Sequence, residues 1–184
     1  MYDPSQLIPG DVLLMTSTPE ESILARLLDR AIAFSEANPF VHAAIVGDGH
    51  IVNPVWHVQR DPPDLYARNG WAFRVQATDA QRAAAVRWAE AHVGSRYGIA
   101  ELLADCARLD LHLVLPSWYR WRPQHWTCSG FVTEAYRVTG VPLTRAPVPA
   151  PSDLSFSPLL IGRRPWEPPS GGSSALHGDL SRGV

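Results

Sequence analysis

Short apolar runs bounded by Gly, Pro and Asp recur along the chain and predict the strands of a sheet. The clearest pair flanks Gly47-Asp48-Gly49, which predicts a tight hairpin turn between two antiparallel strands. The predicted strands cover residues 12–15, 41–46, 50–58, 72–76 and 159–161. Together they indicate a small antiparallel sheet.

Apolar residues at helical spacing predict four helices between and after these strands. The sequence predicts one capping box from Thr18 and Glu21 and a second from Thr78 and Gln81. The predicted helices cover residues 18–37, 78–94, 99–113 and 128–140. Strands and helices in this mixture predict the α+β class.

The length of 184 residues favours a single domain, and a hydrophobic content of 46% allows that domain a substantial core. Beyond Arg163 the chain is rich in Pro, Gly and Ser and has little apolar surface to bury. We therefore expect a folded domain over residues 1–163 and a flexible tail over residues 164–184.

Charge and hydropathy argue against several classes of protein. The net charge of −2 does not favour nucleic acid as a partner, and no stretch is long and apolar enough to predict a transmembrane segment. Two cysteines do not make a disulfide framework. The N-terminus lacks the pattern of a signal peptide, so a cytoplasmic location is the default expectation, although a virion-associated phage protein would carry the same features.

Cys128 is the strongest candidate for chemistry, because it begins a predicted helix. A thiol in the first turn of a helix feels the positive end of the helix dipole, which favours the nucleophilic thiolate. Cys106 is the internal comparison, since helical spacing puts it on the apolar stripe of its own predicted helix, where it would be structural. The alternative for Cys128 is likewise a small residue that fills the core.

A nucleophilic thiol needs a base, and that base needs an orienting group. His42 begins a predicted strand among small and apolar residues, where a plain strand has no need of an imidazole. Across the hairpin, the Asn53 side chain is expected on the same sheet face as His42. The competing interpretations are a core histidine at His42 and a turn-type polar residue before Pro54 at Asn53.

A metal site is a second chemical hypothesis, because His125-x-x-Cys128 has usable ligand spacing and His42 or Cys106 could contribute. Structural zinc sites usually show paired Cys/His motifs, and the sequence has none. We therefore predict neither a metal nor another cofactor.

Several segments taken in order resemble a known family. They are Pro9-Gly10-Asp11-Val12-Leu13, His42-Ala43-Ala44-Ile45-Val46-Gly47-Asp48-Gly49-His50-Ile51-Val52-Asn53, Gly94-Ser95-Arg96-Tyr97 and Cys128-Ser129-Gly130-Phe131-Val132. Over about residues 9–140 the chain resembles the NlpC-type cysteine peptidases and amidases. Because the histidine strand precedes the cysteine helix, the similarity is to the circularly permuted YiiX-like and lecithin–retinol-acyltransferase-like branch. The resemblance implies a papain-like fold in which a small antiparallel sheet packs against helices.

The resemblance also implies roles for single residues. Cys128 would be the nucleophile, His42 the base and Asn53 the third, polar member, with His50 as the alternative if the register slips. Tyr97 resembles a tyrosine near the family's active site. Trp126 ends an aromatic and Arg-rich loop, and it would contact substrate or lie near the oxyanion unless that loop packs its own aromatic residues together.

The function that follows is a thiol hydrolase acting on an amide or ester bond. Its substrate would be a small peptide, a peptidoglycan fragment or an acyl compound. Two other classes stay open: a lipid-directed acyltransferase or lipase that uses the same site, and a non-catalytic phage structural or interaction protein that retains the fold. Nothing in the sequence predicts an oligomeric state.

Overall fold

The structure is a computed structural model that describes residues 7–16, 38–66, 70–97, 125–146 and 149–165. In chain order, its strands are β1 Val12–Met15, β2 His42–Val46, β3 Ile51–Pro54, β4 Val58–Asp61, β5 Gly70–Val75, β6 Arg96–Tyr97, β7 His125–Trp126 and β8 Leu160–Pro165. Its α-helices are α1 Asp79–Ala91, α2 Cys128–Arg137 and α3 Pro151–Ser155, and a 3-10 helix covers Pro63–Tyr66. The helices predicted over 18–37 and 99–113 lie outside the described residues.

Six of the strands form one sheet in the order β4-β3-β2-β1-β5-β8, and every neighbouring pair is antiparallel. The predicted α+β class, with an antiparallel sheet packed against helices, is confirmed. β6 and β7 form a separate two-stranded parallel pair.

Two predicted strands end differently in the structure. The return strand expected over 50–58 is wrong beyond Pro54, because β3 ends there and the chain turns back through residues 55–57 into β4, with Pro54 opposite Val58. The last strand is longer than predicted, since β8 pairs Arg164 with Ala72 on β5. The sheet therefore extends past the boundary that we expected at Arg163.

The two faces of the sheet are both buried, in line with the two-residue period of a strand. One face packs against α1 and α2 in a core that includes Val12, Leu14, Ala43, Ile45, Val52, Phe73, Phe131, Val132, Ala135 and Tyr136. The other face carries a second cluster of Leu13, Met15, Ala44, Val46, Ile51 and Ala72. Helix α2 is the central helix, because eight of its residues are buried and only its last turn reaches the surface.

Local sequence explains the helix that faces α2. Thr78 caps α1, accepting the Gln81 N–H at 3.2 Å, while the Gln81 side chain accepts the Thr78 N–H at 3.0 Å. Ala85 and Ala89 are its fully buried positions, and their small side chains allow α1 to approach α2 closely. The predicted capping box is confirmed.

Candidate active site

Cys128 is the first residue of α2 and only 3% exposed. Thr127 caps the helix: its hydroxyl accepts the Gly130 N–H at 3.2 Å, and its carbonyl accepts the Phe131 N–H at 2.9 Å. Ser129 donates to the Pro149 carbonyl at 2.6 Å, which ties the first turn to the segment before α3. The thiol therefore sits at a fixed helix N-terminus, where the dipole favours its anionic form.

The far end of α2 shows which end of the sheet Cys128 occupies. The Tyr136 hydroxyl donates to the Gly10 carbonyl, and the Gly10 N–H donates to the Val46 carbonyl at 2.8 Å. Helix α2 packs along β2, so its C-terminal end lies at the Val46 end of that strand. Cys128 precedes Tyr136 by about 12 Å along the helix axis. His42 precedes Val46 by about 13 Å along the strand. We infer that Cys128 and His42 lie at the same end of this pair.

A backbone connection supports the same placement. The segment after α1 pairs with β4, since Gly94 N–H donates to the Val58 carbonyl at 2.7 Å and Val58 N–H donates to the Ser95 carbonyl at 2.9 Å. The next residues form β6, which pairs with β7, and β7 leads through Thr127 into Cys128. The segment that precedes Cys128 is thus connected through backbone pairing to the β3–β4 hairpin.

His42 and Asn53 meet in the interior of the protein. His42 Nε2 lies 2.6 Å from Asn53 Oδ1, and the two residues are 3% and 0% exposed. The sequence predicted that these side chains would share a sheet face, and the structure brings them into direct contact. An imidazole held by an amide in this way has a fixed ring orientation, which a catalytic base requires.

Asp61 extends this contact, although the pattern of residues along the chain did not indicate it. Asn53 Nδ2 donates to Asp61 Oδ2 at 2.7 Å, and Gln59 Nε2 donates to Asp61 Oδ1 at 2.8 Å. The carboxylate is buried, and hydrogen bonds from both amides offset much of the cost of removing it from water. A strand predicted after residue 57 would have indicated this contact, because residues 59 and 61 then lie on the same sheet face as Asn53.

Trp126 lies among packed aromatic residues. Its side chain is 3% exposed and belongs to the core, where it packs edge-on against Trp88 and Phe131. The ring of His92 stacks on Trp88 and also meets Trp126 edge-on. The indole therefore packs among aromatic residues of the two helices, and a contact between Trp126 and substrate stays a prediction.

The other predicted positions have different outcomes. His50 lies in a separate network with Glu90 and the Asp48 carbonyl, so it does not replace Asn53. The backbone of Tyr97 pairs with Trp126 in the β6–β7 pair, and its side chain is outside the described part of the molecule, as is Cys106. The suggested role of Tyr97 stays a prediction.

A buried polar cluster fixes the opposite end of the sheet. Asp11 is fully buried and forms an ion pair with Arg74, while its carboxylate also accepts the Ile8 N–H at 3.1 Å. Burial raises the pKa of Tyr136 well above its usual range, and the nearby Asp11 charge raises it further. Tyr136 is therefore a neutral hydrogen-bond donor that holds the C-terminal end of α2 against the turn at Gly10.

Among the described residues, no group of three or more His, Cys, Asp and Glu side chains is arranged to hold a metal ion. In the same part of the chain, no helix is long and apolar enough to cross a membrane. The His125 side chain, which the metal hypothesis requires, is not among the described side chains.

Comparison with known proteins yields a similarity in fold. No family model matches the sequence, and no curated protein matches it. Among solved structures, the chain is similar to the crystal structure of metalloprotein yiiX from Escherichia coli O157:H7, DUF1105. The TM-score is 0.62 at 14% sequence identity, with 87% of this chain and 98% of that chain covered. At this identity the similarity shows that the two chains share a fold, and this fold is the one that the sequence resemblance implied.

Proposed function

We propose that this protein is a thiol hydrolase that cleaves an amide or ester bond through an acyl intermediate on Cys128. The observation that carries the proposal is the buried His42–Asn53 hydrogen bond of 2.6 Å, since it orients the imidazole that would act on the thiol at the start of α2. Thiol-based acyl transfer needs a nucleophile and a base, and in this proposal the helix-terminal thiol is the first and the oriented imidazole is the second. The fold shared with yiiX is compatible with this chemistry but identifies no activity.

In the proposed mechanism, His42 takes the proton from Cys128 Sγ through Nδ1, because Nε2 is engaged with Asn53. The thiolate attacks the substrate carbonyl carbon and forms a C–S bond, which moves an electron pair onto the carbonyl oxygen. The backbone N–H of Cys128 is the proposed donor to that oxyanion, since first-turn amides point out of the helix end. As the tetrahedral species collapses, the imidazolium of His42 gives its proton to the departing amine or alcohol.

Water completes the cycle. His42 takes a proton from a water molecule, the resulting hydroxide attacks the thioester carbonyl, and the C–S bond breaks to release the carboxylic acid and the thiolate. If an amine or alcohol acceptor attacks in place of water, the same site performs acyl transfer. Only the identity of this second nucleophile distinguishes a hydrolase from a transferase.

The proposal is tested by trapping the acyl intermediate. The purified protein is mixed with the p-nitrophenyl ester of a short carboxylic acid, and the release of p-nitrophenolate is followed. We expect an initial burst followed by slower turnover, together with a peptide containing Cys128 that carries the mass of the acyl group. Cys128→Ala should lose both signals while keeping the melting temperature of the wild type.

The choice of natural substrate is tested with the same variants. A muropeptide amide and a phospholipid ester are compared as substrates, and the faster turnover identifies the bond class. A Cys128 that accepts no acyl group from any ester and alkylates like an ordinary thiol would overturn the proposal and favour a non-catalytic role for the fold.

A further inference from the structure

The proposed Cys128–His42 pair works only if the right nitrogen of His42 carries the proton. We propose that Asp61 is a positioning residue that sets the tautomer of His42 through the side-chain amide of Asn53. This inference rests on the proposed function for its purpose, although the effect on the tautomer can be measured independently. Asp61 touches neither the thiol nor the substrate in this proposal.

Asn53 alone does not determine the tautomer. An asparagine amide has an acceptor oxygen and a donor nitrogen of similar shape, and a flip of the group exchanges them. With the oxygen toward His42, Nε2 must be the protonated nitrogen, and Nδ1 keeps the lone pair that can accept the thiol proton. With the NH2 group toward His42, Nε2 must be the acceptor, and the proton moves to Nδ1, where it blocks the transfer.

Asp61 removes this ambiguity, because an ionised carboxylate can only accept hydrogen bonds. Its Oδ2 lies 2.7 Å from Asn53 Nδ2, so the NH2 group of Asn53 must face Asp61 and the oxygen must face His42. The flipped amide would place two acceptor oxygens against each other in a buried site, which costs more than losing a hydrogen bond. The buried carboxylate therefore selects the tautomer in which Nδ1 is the base.

The fold holds Asp61 where this selection requires it. In the β3–β4 ladder, Asn53 is opposite Gln59 and Ile51 is opposite Asp61, so residues 53, 59 and 61 share one face of the sheet. Gln59 Nε2 occupies the other carboxylate oxygen at 2.8 Å. The contact from Asp61 to Asn53 is thus a diagonal cross-strand pair whose geometry follows from the register of the hairpin.

The direct test is the nitrogen NMR spectrum of the His42 ring in the full-length protein labelled with ¹⁵N. It is recorded at a pH well above the ordinary imidazole pKa of about 6.5, so that the ring is neutral. The His42 signals are assigned by their loss in His42→Gln, since the chain has seven histidines. The wild type should show Nε2 protonated and Nδ1 unprotonated; the opposite assignment would overturn the inference without any further variant.

Two variants separate the role of Asp61 from general disruption of the network. Asp61→Leu replaces the accepting carboxylate with an apolar side chain of similar size. We then expect the Nδ1-protonated form of His42 to appear, with the chemical shifts of the two ring nitrogens moving toward each other. Gln59→Leu is the matched control, because it removes a donor from the same carboxylate and leaves the bond to Asn53. It should keep the wild-type shifts. Equal shifts in both variants, or wild-type shifts in Asp61→Leu, would overturn the inference.

The alkylation rate of Cys128 distinguishes this inference from the proposed function. If both are right, Asp61→Leu slows alkylation at neutral pH, although less than loss of the imidazole does. If Cys128 reacts like an ordinary thiol in every variant while Asp61→Leu still changes the tautomer, the proposed hydrolase fails and the role of Asp61 in orienting the amide stands. If alkylation depends on His42 but Asp61→Leu leaves the tautomer of His42 unchanged, the proposed hydrolase stands and this inference fails.

Discussion

Replacing Asn53 with alanine should weaken the fold and the reactivity of the thiol together. The amide is fully buried and makes hydrogen bonds of 2.6 Å to His42 and 2.7 Å to Asp61. A buried neutral group that loses its partner costs about 1–3 kcal/mol, and a hydrogen bond to a charged group contributes about 1.5–3 kcal/mol. We therefore expect Asn53→Ala to lower the free energy of unfolding by about 2–6 kcal/mol.

The assay is urea unfolding combined with alkylation. With a slope of about 2 kcal/mol per molar urea, in the middle of the usual range, the loss corresponds to a midpoint lowered by about 1–3 M. Alkylation of Cys128 by iodoacetamide at pH 6, under conditions where the variant is folded, should slow, because the unanchored imidazole samples other orientations and tautomers. The slowing should be smaller than that of a variant that lacks the imidazole.

Asn38 offers a matched control elsewhere in the fold. It is 9% exposed, accepts the Phe40 N–H at 3.0 Å and donates to the Ser155 hydroxyl at 3.0 Å. Asn38→Ala should cost about 1–3 kcal/mol, because it leaves one buried amide without its acceptor, and it should not change the alkylation rate. An Asn53→Ala variant as stable as the wild type, or equal slowing of alkylation in the two variants, would show that Asn53 does not anchor the His42 ring.

Three further predictions concern stability. Tyr136→Phe should cost about 1–3 kcal/mol in urea unfolding, because it leaves a buried carbonyl without its donor. Since the pKa of Tyr136 is raised, its contribution to wild-type stability is complete below the ordinary tyrosine pKa of about 10 and is lost as pH rises above it. The phenylalanine variant should show less of this fall in stability. Partial burial raises the pKa of Glu90, but hydrogen bonds from His50 and Arg60 outweigh this and lower it below 4.5. Its contribution is therefore present above that pH and lost as pH falls through the lowered value; acid unfolding of Glu90→Gln should lack this component, and identical acid profiles would contradict it. A chain that ends after Pro165 should melt within a few degrees of the full chain, since the remaining residues have little apolar surface; a large drop would show that the tail packs on the domain.

The sequence predicted those elements whose ends are marked by turn residues or by a helix cap. The apolar run of β1, the Gly47–Gly49 turn and the capping box at Thr78 each determine structure within a few residues, and all three occur as expected. β4 was not predicted, because its sequence Val-Gln-Arg-Asp has no apolar alternation. It is an edge strand, and such strands often carry charged residues that discourage pairing with other chains.

The same distinction applies to the site. The pairing of His42 with Asn53 could be predicted, since both lie on strands joined by one recognisable turn. Asp61 could not, because its contact with Asn53 depends on the missed hairpin after Pro54. The burial of Trp126 also depends on tertiary packing, since a tryptophan in a polar loop has the same local sequence whether it faces solvent or another aromatic ring.

The proposed activation of Cys128 by His42 is tested most directly by the pH dependence of Cys128 alkylation in the wild type and in His42→Ala. An unassisted thiol with a pKa near 8.5 is less than about 1% thiolate at pH 6, so loss of an activating imidazole should slow alkylation at least about tenfold. Peptide mapping should show the label on Cys128 and not on Cys106, and His50→Ala should behave like the wild type because His50 bonds to Glu90, in a separate network. An unchanged rate in a destabilised His42→Ala would show that His42 is a core histidine and would contradict the proposed thiol hydrolase.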